Sequence, residues 1–87
     1  MDIRKPAVAG TYESSDAYVC VQPSKTLELE IESVVYNQYK NAIQKAVMET
    51  LAELGVTSGK ISIRDKGAVD CVIQARVETA IMRSQEV

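Results

Sequence analysis

Leu27-Glu28-Leu29-Glu30-Ile31-Glu32 alternates apolar and acidic residues without a break. A strand repeats every two residues, so this spacing puts Leu27, Leu29 and Ile31 on a face to be buried and three glutamates in water. Directly afterwards the period lengthens. Val35, Tyr39, Ala42, Ile43, Ala46, Val47, Thr50, Leu51 and Leu54 recur at helical spacing, while Asn37, Lys40, Gln44, Lys45, Glu49 and Glu53 fall largely on the opposite side. A strand feeding straight into an amphipathic helix of about five turns decides the fold class, because each element has one apolar face that must be covered by a second layer. Ser33 is the N-cap candidate, although Tyr36 at the third helical position rules out a reciprocal capping box. Gly55 followed by Val56 suits a left-handed stop, so the helix is expected to end near Leu54.

Working outward, Ile61 and Ile63 alternate with Ser62 and Arg64 in a short strand. Val69, Val72, Ile73, Arg76, Val77, Ala80 and Ile81 then recur at helical spacing, which predicts a second helix over 68–83. On the N-terminal side, residues 1–6 are charged, end in Pro6 and are expected to be loosely held. Residues 7–12 and 17–22 read as two antiparallel strands joined by the loop Glu13–Asp16, with Gly10 weakening the first or marking a bulge. Pro23-Ser24-Lys25-Thr26 breaks the second strand. The element order is βββαβα, an α+β two-layer sandwich with an antiparallel-rich sheet of about four strands packed against two helices.

A chain of 87 residues is read as one domain over 1–87, burying roughly 60 to 65% of its unfolded surface. Ten basic and twelve acidic residues give a formal charge of minus two, which supplies no footprint for nucleic acid and no polybasic membrane patch. The longest apolar runs are far short of a bilayer span, and Met1-Asp2-Ile3-Arg4-Lys5 lacks a signal-peptide core, so a cytoplasmic location is expected. Cys20 and Cys71 are far apart and neither belongs to a C-x-x-C pair; both read as small buried hydrophobes. With no histidine and no calcium-loop spacing, no bound metal is expected.

The polar stretch Thr11-Tyr12-Glu13-Ser14-Ser15-Asp16 lies between the apolar runs Pro6–Gly10 and Ala17–Val21 and carries four hydroxyls. Loops at such tips are exposed and often functional. A serine with no histidine in the chain to deprotonate it is no nucleophile of a Ser-His-Asp hydrolase, so Ser14 and Ser15 are turn residues or attachment points. Turn chemistry alone favours the former. Lys60, Arg64, Lys66, Arg76 and Arg83 suit a solvated face better than a phosphate site. Arg76 stands apart, because it shares the apolar stripe of the second helix and a half-buried charge needs a partner. Asp70 and Asp65 are the candidates; Asp65 alternatively caps the second helix.

Two stretches, KPAVAGTYESSD from Lys5 to Asp16 and DKGAVDCVIQARVETA from Asp65 to Ala80, resemble the acyl carrier protein (gamma) subunit of citrate lyase. The resemblance spans nearly the whole chain. It implies a carrier that performs no bond chemistry itself and has no catalytic residue. In that family a serine directly after a Glu, which follows Gly-Thr and one further residue, bears a phosphoribosyl dephospho-coenzyme A arm in phosphodiester linkage. In this sequence that position is Ser14. Ser15 matches a position where the family accepts glycine or serine, and Tyr12 departs from an expected leucine. The implied partners are the alpha subunit, which exchanges acetyl for citryl groups on the arm, the beta subunit, which cleaves the citryl thioester to oxaloacetate, and the transferase that attaches the arm. Ordinary phosphopantetheine carriers are helical bundles with Asp-Ser-Leu at a helix start, which this chain lacks.

A phosphodiester on Ser14 would share its sign with Glu13 and Asp16. In water a carboxylate about 7 Å away repels a unit charge by roughly 0.6 kcal/mol, and several-fold more in a low-dielectric interior, so the arrangement requires an exposed loop. Other readings stand beside this one. The carriers of citramalate lyase and malonate decarboxylase would share the arm and differ in the acyl group, and a non-carrier α+β interaction module would leave the loop a plain turn.

Overall fold

The computed structural model describes residues 1–34 and 37–86, without the side chains of 37–39. Strands β1 (Ala7–Gly10), β2 (Ala17–Gln22) and β3 (Leu27–Ser33) are followed by helix α1 (Asn37–Glu53), strand β4 (Gly59–Asp65) and helix α2 (Asp70–Arg83). This is the expected βββαβα order and an α+β fold. The sheet order is β1-β2-β4-β3, in which β1 with β2 and β2 with β4 are antiparallel and β3 with β4 is parallel. The parallel pair follows from α1, since two parallel neighbours need a crossover and the helix supplies it.

Alternation places Val19 and Val21 of β2 and Ile61 and Ile63 of β4 in the core, where Ile43, Val47 and Leu51 of α1 and Ile73, Val77 and Ile81 of α2 meet them. Leu27, Leu29 and Ile31 have the expected inward face but are only half-buried, because β3 is an edge strand. The helix face holds at Ile43, Ala46, Val47, Thr50 and Leu51, whereas Ala42 is exposed. Val35 and Tyr36 lie outside the described residues, as does the side chain of Tyr39.

Helix α1 stops as its sequence predicts. Gly55 takes φ 68°, the Val56 amide donates to the Leu51 carbonyl at 2.9 Å and the Gly55 amide to Ala52 at 3.1 Å, the paired bonds of a Schellman motif. Its other end differs from expectation. Ser33 is not the N-cap but the last residue of β3, held in register opposite Asp65. Nor are residues 1–6 loosely held: Ile3 is buried, and the Met1 amine donates to the carbonyls of Leu54 and Gly55 at 3.1 and 2.8 Å. The negative end of a helix is a favourable place for that amine.

Two further expectations need correction. Cys20 is half-buried and Cys71 exposed, both as free thiols, because Cys71 falls off the buried stripe of α2 formed by Ile73, Val77, Ala80 and Ile81. Val69 precedes α2 as its N-cap residue and is 64% exposed, so it belongs to the loop and not to the stripe. No helix among the described residues is long and apolar enough to cross a membrane. No cluster of three or more metal-ligating side chains occurs among them either.

Candidate functional site

The loop that carries the candidate serine begins where β1 must end. Gly10 takes φ 94°, and a Cβ there would stand 1.8 Å from the Ala17 carbonyl oxygen and 3.2 Å from Cδ of Arg76. Only glycine allows the chain to leave the strand this close to its own return. Thr11 and Tyr12 therefore fall outside β1 and lengthen the loop to six residues, Thr11–Asp16.

Inside the loop the Asp16 amide donates to the Glu13 carbonyl at 3.1 Å, closing a four-residue turn with Ser14 second and Ser15 third. Ser15 has φ 63°, the sign that a type II turn requires at its third position, where glycine is usual. The Thr11 hydroxyl accepts from the Glu13 amide at 3.2 Å and donates to Asp16 Oδ2 at 2.7 Å. The turn is thus tied together by its own side chains.

Two other segments grip it from outside. The Ser15 amide donates to the Lys66 carbonyl at 2.8 Å and the Lys66 amide donates to the Asp16 carbonyl at 2.9 Å, so the residue after β4 extends the ladder onto the loop. Arg76 of α2 donates through Nε and Nη2 to the two oxygens of Asp16, each at 3.0 Å. These bonds, with those from Thr11 and from the Ala17 amide at 2.7 Å, hold the Asp16 carboxyl down to about 2 from an ordinary 3.8. The same pairing raises the Arg76 guanidinium above its usual range.

Arg76 therefore has the carboxylate partner that its stripe position demands, but it is Asp16 and neither Asp65 nor Asp70. Asp65 is buried for another purpose. Its oxygens accept from the Ser33 hydroxyl at 2.8 Å and the Ala68 amide at 2.9 Å, and its carbonyl accepts from the Val34 amide. It fixes the turn after β4 and does not cap α2, whose N-cap residue Val69 makes no side-chain bond. The sequence held no local sign of these pairings, since the partners lie 32 and 60 residues apart.

The other basic residues serve the surface. Lys60 pairs with Glu30 at 3.6 Å, and Arg83 donates to the Val8 carbonyl at 2.9 Å. Arg64 reaches Glu32 at 3.5 Å, donates to the Tyr12 hydroxyl at 3.1 Å and lies 5.6 Å from the centre of that ring. Tyr12 also leans on Tyr18, with ring centres 4.5 Å apart. Its hydroxyl is used and its ring is packed, which accounts for an aromatic residue at that position.

What remains free are two serine hydroxyls. Ser14 and Ser15 are both exposed at the turn tip, and no hydrogen bond ties either hydroxyl to another described residue. The loop fits a covalent anionic arm: Arg76 compensates the charge of Asp16, and Glu13, the other same-sign neighbour in the turn, is in water. With no histidine in the chain, nothing here activates the hydroxyl, so an external enzyme would have to form the linkage.

The family model described as malonate decarboxylase delta subunit (MdcD) matches residues 4–84. The citrate lyase acyl carrier protein of Haemophilus influenzae (strain PittEE) is 52% identical over 86 residues, covering 99% of this chain and 90% of that protein. That of Clostridium perfringens (strain 13 / Type A) is 51% identical over 89 residues, covering 100% and 88%. Among solved structures, a chain of a Pseudomonas malonate decarboxylase hetero-tetramer in complex with malonate superposes with a TM-score of 0.80 at 24% identity, covering 94% of this chain and 86% of that one, a likeness of fold. With half its residues shared across nearly the full length of those carriers, the chain belongs to the citrate lyase acyl carrier protein family.

Proposed function

We propose that this chain is a single carrier domain over residues 1–87 that holds a phosphoribosyl dephospho-coenzyme A arm on Ser14 and serves as the non-catalytic carrier subunit of a cytoplasmic citrate lyase. The arm's terminal thiol supplies the acyl thioester chemistry when it is bound. The chain's own residues present the arm and do not react. One observation carries the reading: Ser14 is exposed at the tip of a turn clamped by Thr11, Lys66 and Arg76, and its hydroxyl bonds to no other described residue; Ser15 shares that exposure, and the family's register selects Ser14.

A rigid loop with an exposed end suits two tasks. The transferase needs a hydroxyl in fixed geometry, and the alpha and beta subunits need an attachment point that leaves the arm free to reach them. Delivery by a tether makes the local concentration of the acyl group depend on arm length and not on bulk diffusion. The relatives named citrate lyase acyl carrier protein favour citrate over citramalate or malonate as the substrate of the whole complex.

Intact mass and peptide mapping test the attachment. Co-expressed with the transferase, the wild type should gain one arm on the peptide containing Ser14, Ser14→Ala should gain none, and Ser15→Gly should still be loaded. Full modification of Ser14→Ala, with the arm on Ser15, would move the site. A bare chain in protein isolated from its native complex would remove the carrier reading.

A further inference from the structure

Next to Tyr12, in the loop that carries Ser14, the surface is hollowed. Tyr12, Val34, Arg64 and Lys66 border an open depression of about 330 Å³ whose walls are completed by Glu32, Ser33 and Asp65. The size is at the low end for small-molecule sites, enough for one nucleoside-sized group. We propose that this depression is a resting cradle for the nucleotide portion of the arm, an inference that rests on the attachment to Ser14 proposed above.

Position is the first argument. Tyr12 precedes the attachment residue by two positions, and Lys66 is bonded through its carbonyl to the amide of Ser15. An arm leaving Ser14 therefore starts on a loop that itself contributes to the border of the hollow. Chemistry is the second. An aromatic face stacks on a purine without regard to sequence, and Tyr12, 43% exposed, has Tyr18 against its ring and the solvent-exposed Arg64 guanidinium 5.6 Å from its centre, where a base would take the guanidinium's place. Val34, 64% exposed, offers an apolar edge on the same hollow.

Charge is the third. The arm is polyanionic, and the hollow has two cations. Lys66 makes no ion pair with another described residue. Arg64 is paired with Glu32, but both side chains are well exposed, at 61% and 78%, and a solvated pair of this kind exchanges readily for a bidentate phosphate. Glu32 and Asp65 balance the two cations in formal charge, but Asp65 is buried and bonded to Ser33 and Ala68 and Glu32 is free to turn into water, so Arg64 and Lys66 are the hollow's exposed donors for an entering phosphate. Arg64 would exchange Glu32 for a phosphate, leaving the Tyr12 ring to the base. The arm would then rest against its own carrier between visits to partner subunits.

The apo and arm-loaded proteins, compared by amide and ³¹P magnetic resonance, test the cradle. Loading should shift the amides of Val34, Arg64 and Lys66 as well as those of the Glu13–Asp16 turn, and the arm's phosphorus lines should broaden several-fold over those of free dephospho-coenzyme A. Tyr12→Leu, and separately Lys66→Gln, should narrow the lines and reduce the remote shifts; Lys66→Gln alters an exposed side chain and leaves the backbone clamp intact. A loaded protein whose shifts stay within the turn and whose phosphorus lines are as narrow as those of the free compound would overturn the cradle alone. A protein that never takes up the arm would overturn the attachment and the cradle together.

Discussion

Arg76 grips Asp16 through two parallel hydrogen bonds of 3.0 Å each, joining the second helix to the loop that carries Ser14. A bidentate contact fixes orientation as well as distance, so the acceptor loop takes its geometry from a helix 60 residues away in sequence. Arg76→Gln should leave the core intact and loosen the loop. Hydrogen exchange should rise at the amides of Glu13, Ser15 and Asp16 while those of Val19 and Ile63 stay protected; unchanged exchange in the loop would show that the turn is held by its other bonds.

The same pair makes part of the stability dependent on pH. Asp16 titrates at about 2 in the fold against 3.8 ordinarily, so its contribution is complete above the higher value and is lost as the pH falls through the lower one. The difference in denaturation midpoint between wild type and Asp16→Asn should therefore be constant at neutral pH and shrink between about 4 and 2. A difference that persists undiminished at pH 2 would assign the effect of Asn to something other than the carboxylate's charge.

Ser15 occupies backbone space that a side chain resists, at φ 63°. Ser15→Val should cost about 1–2 kcal/mol, because a β-branched residue is poorly tolerated in the left-handed region. Ser15→Gly should be neutral or slightly stabilising. Urea denaturation of the three proteins decides this, and a Val variant as stable as wild type would show that the turn relaxes to another form.

Leu51 is 1% exposed and lies on the buried face of α1, one residue in the Schellman motif that ends the helix. Leu51→Ala should destabilise by about 2–5 kcal/mol, as large-to-small core changes do, while Glu53→Ala on the exposed side should be near neutral. Equal midpoints for wild type and Leu51→Ala would contradict the packing described.

Periodicity carried most of the architecture. The unbroken alternation from Leu27 to Glu32 marks β3, and the stripe from Ile43 to Leu51 marks the buried face of α1. Periodicity does not report the position of a strand within its sheet, which is why Leu27, Leu29 and Ile31 look like core residues and are half-buried at an edge. It also misplaces Ser33, whose capping potential is outweighed by ladder pairing and by its bond to Asp65. At the site, the local content was legible: an exposed turn, a serine without a base, and an arginine on an apolar stripe that had to be paired. The identity of its partner was not, because an ion pair between distant residues leaves no trace in the spacing of either one.

The loop's dependence on Lys66 and Arg76 sets an order of events during synthesis. Ser14 emerges from the ribosome before Lys66 and Arg76, so a nascent chain that has reached only the end of α1 has neither the carbonyl that accepts from the Ser15 amide nor the guanidinium that donates to Asp16. Domains complete their folding only when such late segments arrive. A transferase that recognises the shaped turn, and not the bare sequence, would therefore pass over unfinished and misfolded chains, and the proposed arm would be committed only to chains in which α2 is already in place.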